Sequence, residues 1–142
     1  GDEHVQALLP LADQITWLDL SGTQISDSAL AVLARFPNLS ELDLSRTNIS
    51  DAGLRHLSDK KHLEYLNLYG TTVTDAGLAH LAGLQELRSL YLWQTRVTPD
   101  GLKRLQEQLP RLKASLGLDP ADFDSTMQAY AAPAQQPVTQ AP

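Results

Sequence analysis

The sequence predicts an α/β solenoid, with parallel strands on a concave face and short helices on a convex one. Two observations carry that expectation. One string recurs four times: LSGTQISDSAL (20–30), LSRTNISDAGL (44–54), LYGTTVTDAGL (68–78) and LWQTRVTPDGL (92–102). Within each copy the hydrophobic period changes from two to three, so the spacing of a strand gives way to that of a helix. A chain that repeats itself this closely is one supersecondary unit stacked on itself.

The first core position falls at Ile15, Leu39, Leu63 and Leu87, in steps of 24, and its next equivalent, Leu112, stands 25 on. Six positions are aliphatic in every copy; the third copy has Leu63, Leu66, Leu68, Val73, Leu78 and Leu81. In YLNLY (65–69) the leucines alternate with outward residues, as in a strand. In DAGLAHL (75–81) Leu78 and Leu81 are three apart, as on one face of a helix. The strand residue Leu66 is thus expected in the buried stripe of a middle repeat.

The helix start is legible from residue types. Ser26, Ser50, Thr74 and Thr98 share one position, and a hydroxyl there suits an N-cap. Asp27, Asp51, Asp75 and then Pro99 follow. Aspartate favours the positive end of the helix dipole, and proline is tolerated as the first helical residue. The fourth copy therefore makes the hydroxyl, not the aspartate, the cap. Gly53, Gly77 and Gly101 sit in the first helical turn, where a small residue allows close packing between turns. Thr23, Thr47, Thr71 and Thr95 follow the strands and are expected to form a ladder of buried hydroxyls bonded to loop backbone.

These patterns divide the chain. Residues 1–14 read as an N-terminal half-repeat or cap, because HVQALLPLADQ (4–14) resembles the helix half of a unit and Leu9 stands one full repeat before Leu33. That half-unit is either a natural cap or the remainder of a longer array. Residues 15–111 are four repeats of 24–25 residues. Residues 112–131 hold a last strand, with Leu116 and Leu118 pointing inward, and a helix over about 120–131 opened by Asp119 and Pro120. Phe123, Met127 and Tyr130 share one face of that helix, which reads either as a cap over the last repeat or as a docking helix. Residues 132–142 form a Pro/Ala/Gln-rich tail with no pattern that builds a core.

Composition narrows the function. The net charge is −6, from 17 acids and 11 Lys and Arg, which argues against a nucleic-acid partner. Without cysteine there is no disulfide, no thiolate catalysis, no Cys-held zinc and no covalent haem attachment on this chain. No apolar run reaches the roughly 18 residues of a membrane span. His56 and His80 share a repeat position on the convex side, but two ligands on a solvated face make a poor metal site. No phosphate loop or nucleophile–base arrangement stands out, so no catalytic and no metal-binding residue is assigned. Two sequons, at Asn38 and Asn48, are read as incidental.

The outward strand positions are more informative. Repeat by repeat they are Trp17, Asp19, Ser21; Glu41, Asp43, Ser45; Tyr65, Asn67, Tyr69; and Ser89, Tyr91, Trp93. The first half is acidic and the second aromatic. Clustered exposed aromatics suit a contact surface, although aromatics are also favoured in strands for their own sake. Trp17, Tyr65, Tyr69, Tyr91 and Trp93, with Arg96 after the fourth strand, are the candidate partner-binding residues.

Residues 15–111 resemble a leucine-rich repeat array, with L-x-x-L-x-L-x-x-T-x-[IV]-[ST]-D-x-G-L replacing the more familiar Asn-bearing pattern. The strings TTVTDAGLAHLAGL, LYLWQTRVTPDGL and ITWLDLSGT are similar to bacterial, planctomycete-type modules at the C-terminus of extracytoplasmic proteins that carry c-type cytochrome domains. The resemblance implies a periplasmic or otherwise extracytoplasmic setting, with any haem on an associated domain or partner. It implies a non-enzymatic interaction module for a protein partner or a parent domain, without nucleic acid and without membrane insertion. A structural spacer in the same kind of parent is the alternative. A ubiquitin-ligase substrate adaptor is a third reading, since eukaryotic F-box repeat proteins use similar units. The motif specifies fold far more tightly than function.

Overall fold

Each repeat returns the chain to a place beside its own previous strand. The computed structural model describes residues 1–117. Five short strands lie in sequence order in one parallel sheet: β1 Trp17–Asp19, β2 Glu41–Asp43, β3 Tyr65–Asn67, β4 Ser89–Tyr91 and β5 Lys113–Ser115. Along the chain run α1 Asp2–Gln6, ahead of the sheet, and then α2 Asp27–Leu33, α3 Asp51–Leu54, α4 Asp75–Leu78 and α5 Pro99–Gln108 between the strands. This is the α/β solenoid the repeat predicts.

The sheet is held in strict repeat register. Leu18, Leu42, Leu66 and Leu90 stand opposite one another, and Ala114 continues the row. All the repeating aliphatics are buried except Ile15, Leu18 and Leu20, which lie on or beside the outermost strand and are only partly covered. A further core column has Ala12, Phe36, Lys60, Leu84 and Leu109. Lys60 is only 6% exposed, and its ammonium donates to the carbonyls of Ala34 (2.8 Å) and Phe36 (2.7 Å) just past the end of α2. The charge is thereby satisfied by the negative end of a helix, which lets a lysine occupy an apolar column.

The aspartates do more than complement a dipole. Each bonds the cap of the next unit: Asp2 takes the amide and hydroxyl of Ser26, Asp27 those of Ser50, Asp51 those of Thr74, and Asp75 those of Thr98. The hydroxyls in turn cap their own helices at Ser26, Thr74 and Thr98, but Ser50 makes no such bond. The first-turn glycines make room for this joint. A Cβ on Gly53, Gly77 or Gly101 would run into the carboxylate of Asp27, Asp51 or Asp75 respectively.

The threonine ladder forms as expected, with Thr23, Thr47, Thr71 and Thr95 donating to the carbonyls three residues before them at 2.6–2.8 Å. Only Thr47 and Thr71 are buried. Where the chain turns out of the sheet, Gly22, Arg46, Gly70 and Gln94 share one repeat position and a left-handed backbone, with φ of 68°, 53°, 71° and 54°. Two of the four are not glycine.

Both ends depart slightly from the sequence pattern. At the start, α1 begins at Asp2, and Asp2 and Val5 precede Asp27 and Leu30 by one position more than the usual repeat step. At the other end, Leu109 and Leu112 follow Leu84 and Leu87 by the same longer step, yet Lys113 pairs with Ser89 at the usual one. The longer α5 absorbs the extra residue, and Leu112 leads directly into β5. Leu116 is buried as expected. Leu118, the helix expected over 120–131 and the tail 132–142 lie outside the described residues.

Candidate functional site

Alternation along the strands places three rows of side chains on the concave face. One row runs Trp17, Glu41, Tyr65, Ser89 and Lys113. The next runs Asp19, Asp43, Asn67, Tyr91 and Ser115. Past the strands, Ser21, Ser45, Tyr69 and Trp93 follow at the same repeat position.

The aromatic side chains pair between neighbouring repeats. Tyr65 meets Tyr91 at 5.6 Å between ring centroids with a 57° tilt. Tyr69 meets Trp93 edge to face, at 6.2 Å and 87°. Both are favourable geometries for ring quadrupoles. Trp93 is placed by the last strand: its indole N–H donates to the Ser115 hydroxyl at 3.0 Å. Gly117 lies against the same ring, since a Cβ there would come within 2.6 Å of it. The Ser115 hydroxyl also accepts the Gly117 amide at 3.1 Å. All four rings are half-buried, so each offers surface while being held by neighbours.

The acidic half is organised differently from the sequence expectation. Asp19 accepts the Ser21 amide (2.9 Å) and hydroxyl (2.7 Å), and Asp43 does the same with Ser45. The Ser21 hydroxyl, then its amide, hold the Asp19 carboxyl below its ordinary value. These aspartates shape the turn that ends each strand. Asn67 takes the same role, accepting the Tyr69 amide at 3.0 Å, and is 1% exposed rather than presented to solvent. Glu41 remains exposed.

Of the six predicted residues, Tyr65, Tyr69, Tyr91 and Trp93 come together. Trp17 is 60% exposed on β1, two strands from Tyr65 with Glu41 between them. Arg96 is exposed on the loop after β4, bridged through its backbone to Thr74. Two cations escaped the sequence reading. Arg46 follows β2, its amide bonded to the Tyr69 carbonyl at 2.7 Å and its side chain packed over Gly70. Lys113 is exposed in the same row as Tyr65.

A hollow between α4 and α5, lined by Asp75, Ala79, Arg104 and Gln108 among others, lies on the helical side, away from the rings. His56 and His80 are half-buried in the tight helical turns that continue α3 and α4. Among the described residues no three His, Cys, Asp or Glu converge as metal ligands, and no helix is long and apolar enough to cross a membrane.

Comparison with known proteins places this geometry. A family model described as "FBD-associated F-box protein At5g56370, LRR repeats" matches residues 3–133. Among solved structures, an internalin C2 from Listeria monocytogenes is 30% identical, with a TM-score of 0.65 over 78% of this chain and 44% of that one. The LRR protein LIC12759 of Leptospira interrogans is 19% identical, with a TM-score of 0.54 over 81% of this chain and 33% of that one. The Mex67:Mtr2 subunits of Chaetomium are 17% identical, with a TM-score of 0.60 over 83% of this chain and 90% of that one. The last two likenesses are of fold alone. The chain spans less than half the length of either bacterial protein. No curated protein sequence matches it.

Proposed function

Because the chain belongs to the leucine-rich repeat family that includes the repeats of the F-box protein At5g56370, we propose that it is a non-catalytic interaction module. It binds a protein partner, or another domain of its own parent, through the concave sheet. Repeats of this kind build extended concave binding surfaces. The observation that carries the reading is the pair of ring contacts, Tyr65 on Tyr91 and Tyr69 on Trp93. Rings already held by one another lose little freedom on binding, and they present apolar area with polar tips. An open sheet encloses little volume, so it suits a peptide or protein surface better than a small molecule.

The test is capture from the native organism with a Tyr91→Ala/Trp93→Ala variant, followed by calorimetry on the captured partner. Truncating hot-spot aromatics should weaken binding by roughly thirtyfold or more. A His56→Ala/His80→Ala variant, altered on the helical side, should bind like the parent. Circular dichroism of both variants separates lost binding from lost folding. Equal capture by a folded aromatic variant would overturn the concave site.

A spacer role in a larger protein is the second reading. The joints from Asp2, Asp27, Asp51 and Asp75 to the following caps favour it, because they stiffen the array. For either role the neighbour we propose is a c-type cytochrome domain of an extracytoplasmic bacterial protein, with haem on that domain. Support for this neighbour is the wording of the repeat strings alone. Intact mass and haem absorbance of the native protein test it. The F-box name of the family model supports the adaptor reading instead, and recovery of ubiquitin-ligase components in the same capture would decide for that.

A further inference from the structure

Resting on the reading of the concave sheet as a protein-binding surface, we propose that its ligand is an extended segment of a partner protein in which basic residues adjoin an apolar stretch. The basic end lies over β1 and β2, and the apolar end lies over the rings of β3 and β4.

The face changes chemistry along the solenoid. Trp17 and Glu41 stand side by side in one row and Asp19 and Asp43 in the next, so an indole and three carboxylates share neighbouring positions. Trp17 is 60% exposed, and Asp19 and Glu41 are exposed as well. Asp19 and Asp43 accept from serine amides and hydroxyls, which orients the carboxylates without cancelling their charge. Among the described residues the ion pairs lie elsewhere, at Glu3, Glu86 and Asp75. On β3 and β4 the half-buried rings take over, and on β5 the first row ends in the exposed Lys113.

The two halves select for different groups. Carboxylates attract an ammonium or guanidinium, and an exposed indole face adds a cation–π contact. The whole chain carries a charge of −6, so it draws a basic partner from a distance and repels an acidic one. The rings favour aliphatic or aromatic side chains. Lys113 repels a second basic group at the far end, which fixes the direction of the segment. Arg46, packed over Gly70 past the strand ends, keeps the basic end on the rows of Trp17 and Asp19. From β1 to β4 is three strand spacings, about 14 Å, which an extended chain crosses in about four residues. The basic residues and apolar anchors of the ligand therefore stand about four positions apart.

The experiment uses the full chain and two synthetic probes. One is acetyl-Lys-Arg-Lys-Gly-Leu-Phe-Leu-Tyr-amide, and the other has Glu-Asp-Glu in place of Lys-Arg-Lys. Calorimetry should find the basic probe bound roughly tenfold tighter or more, with the gap closing as salt rises. On isotope-enriched protein the Trp17 indole, Glu41, Tyr65 and Tyr91 signals should shift, while Ala31 and His80 on the helical side hold. Glu41→Lys, at an exposed side chain, should weaken the basic probe and strengthen the acidic one. Lys113→Glu should improve the binding of a probe with lysines at both ends. Absence of binding by the basic probe, equal or tighter binding of the acidic one, or shifts confined to β3–β5 would each overturn the proposal. These outcomes bear on the partner's chemistry alone. A concave partner of another chemistry would fail here, yet its capture from the native organism would still depend on Tyr91 and Trp93.

Discussion

The carboxylate of Asp27 accepts both the backbone amide of Ser50, at 2.7 Å, and its hydroxyl, at 2.6 Å, tying the first turn of one helix to the cap of the next. The same joint links Asp51 to Thr74, and there Gly77 supplies the room the carboxylate needs. A double-mutant cycle should expose the dependence. Asp51→Ala strands two part-buried donors and should cost about 1–3 kcal/mol. Gly77→Ala alone forces a methyl into the carboxylate and should cost about 1–3 kcal/mol. Combined, the two should cost clearly less than their sum, because removing the carboxylate relieves the clash. Denaturant midpoints check this; strict additivity would show that Gly77 is small for another reason.

The same joints set an acid limit. Burial raises the Asp75 pKa, but the Thr98 hydroxyl and amide, then Arg104, outweigh it and leave the carboxyl below 3.8. The Ser26 hydroxyl and amide lower Asp2 likewise. A carboxyl depressed in the folded state contributes stability above its unfolded pKa, and loses it as pH falls through the folded value. Stability should therefore hold at neutral pH and fall once pH drops below the ordinary carboxylate pKa of 3.8. An Asp75→Asn variant should be less stable than the parent at neutral pH and converge on it in acid. Thermal melts across pH provide the comparison, and a constant difference would contradict the assignment.

Lys60 carries the same sign of pH dependence into the alkaline range. Burial lowers its pKa from 10.5, against an upward pull from Asp59. The unfolded chain then holds this proton to higher pH than the folded one, so stability due to Lys60 should rise as pH climbs through the folded value. Lys60→Met restores an apolar column but leaves the Ala34 and Phe36 carbonyls without their donor, at a cost of about 1–3 kcal/mol. Chemical denaturation of both proteins between neutral and alkaline pH measures the two effects together.

Leu66 is fully buried between Leu42 and Leu90 in the central row. Leu66→Ala should cost about 2–5 kcal/mol. Because neighbouring repeats support one another in a line, the unfolding transition should also broaden or split. An unchanged midpoint would remove Leu66 from the core.

Gln94 holds a left-handed backbone, φ 54°, where Gly22 and Gly70 stand in other repeats. That conformation costs a residue with a Cβ about 1–2 kcal/mol, partly offset by glycine's greater freedom when unfolded. Gln94→Gly should therefore stabilise modestly and raise the melting temperature. A drop would mean that the glutamine side chain makes a contact worth more than the strain.

The solenoid was legible because six positions per unit keep one chemical type. The column through Phe36 and Leu84 was not, because Lys60 interrupts it, and only the helix end beneath its ammonium explains a charge there. The aspartates were assigned to helix dipoles, since a sequence pattern is read locally while their partners stand a whole repeat further on. Asp19 and Asp43 read as an acidic face, yet each closes a turn on the serine two residues later. Alternation placed the four clustered rings on one surface. Which rings touch depends on side-chain rotamers, which spacing does not encode. Trp17 shares their pattern but not their company, because Glu41 stands in the row between.

The aspartate joints also make the array copyable. The two middle units each reach forward with a carboxylate, Asp51 or Asp75, and receive their predecessor's beside a glycine, Gly53 or Gly77, so each carries half of two joints. An in-frame duplication of residues 51–74 would give every carboxylate a cap ahead and every cap a carboxylate behind. A single recombination event could thus lengthen the solenoid by one whole unit without a new seam. Pro99 sets the boundary of that freedom. It stands where the other units have Asp, so a unit copied behind it would find no carboxylate to join.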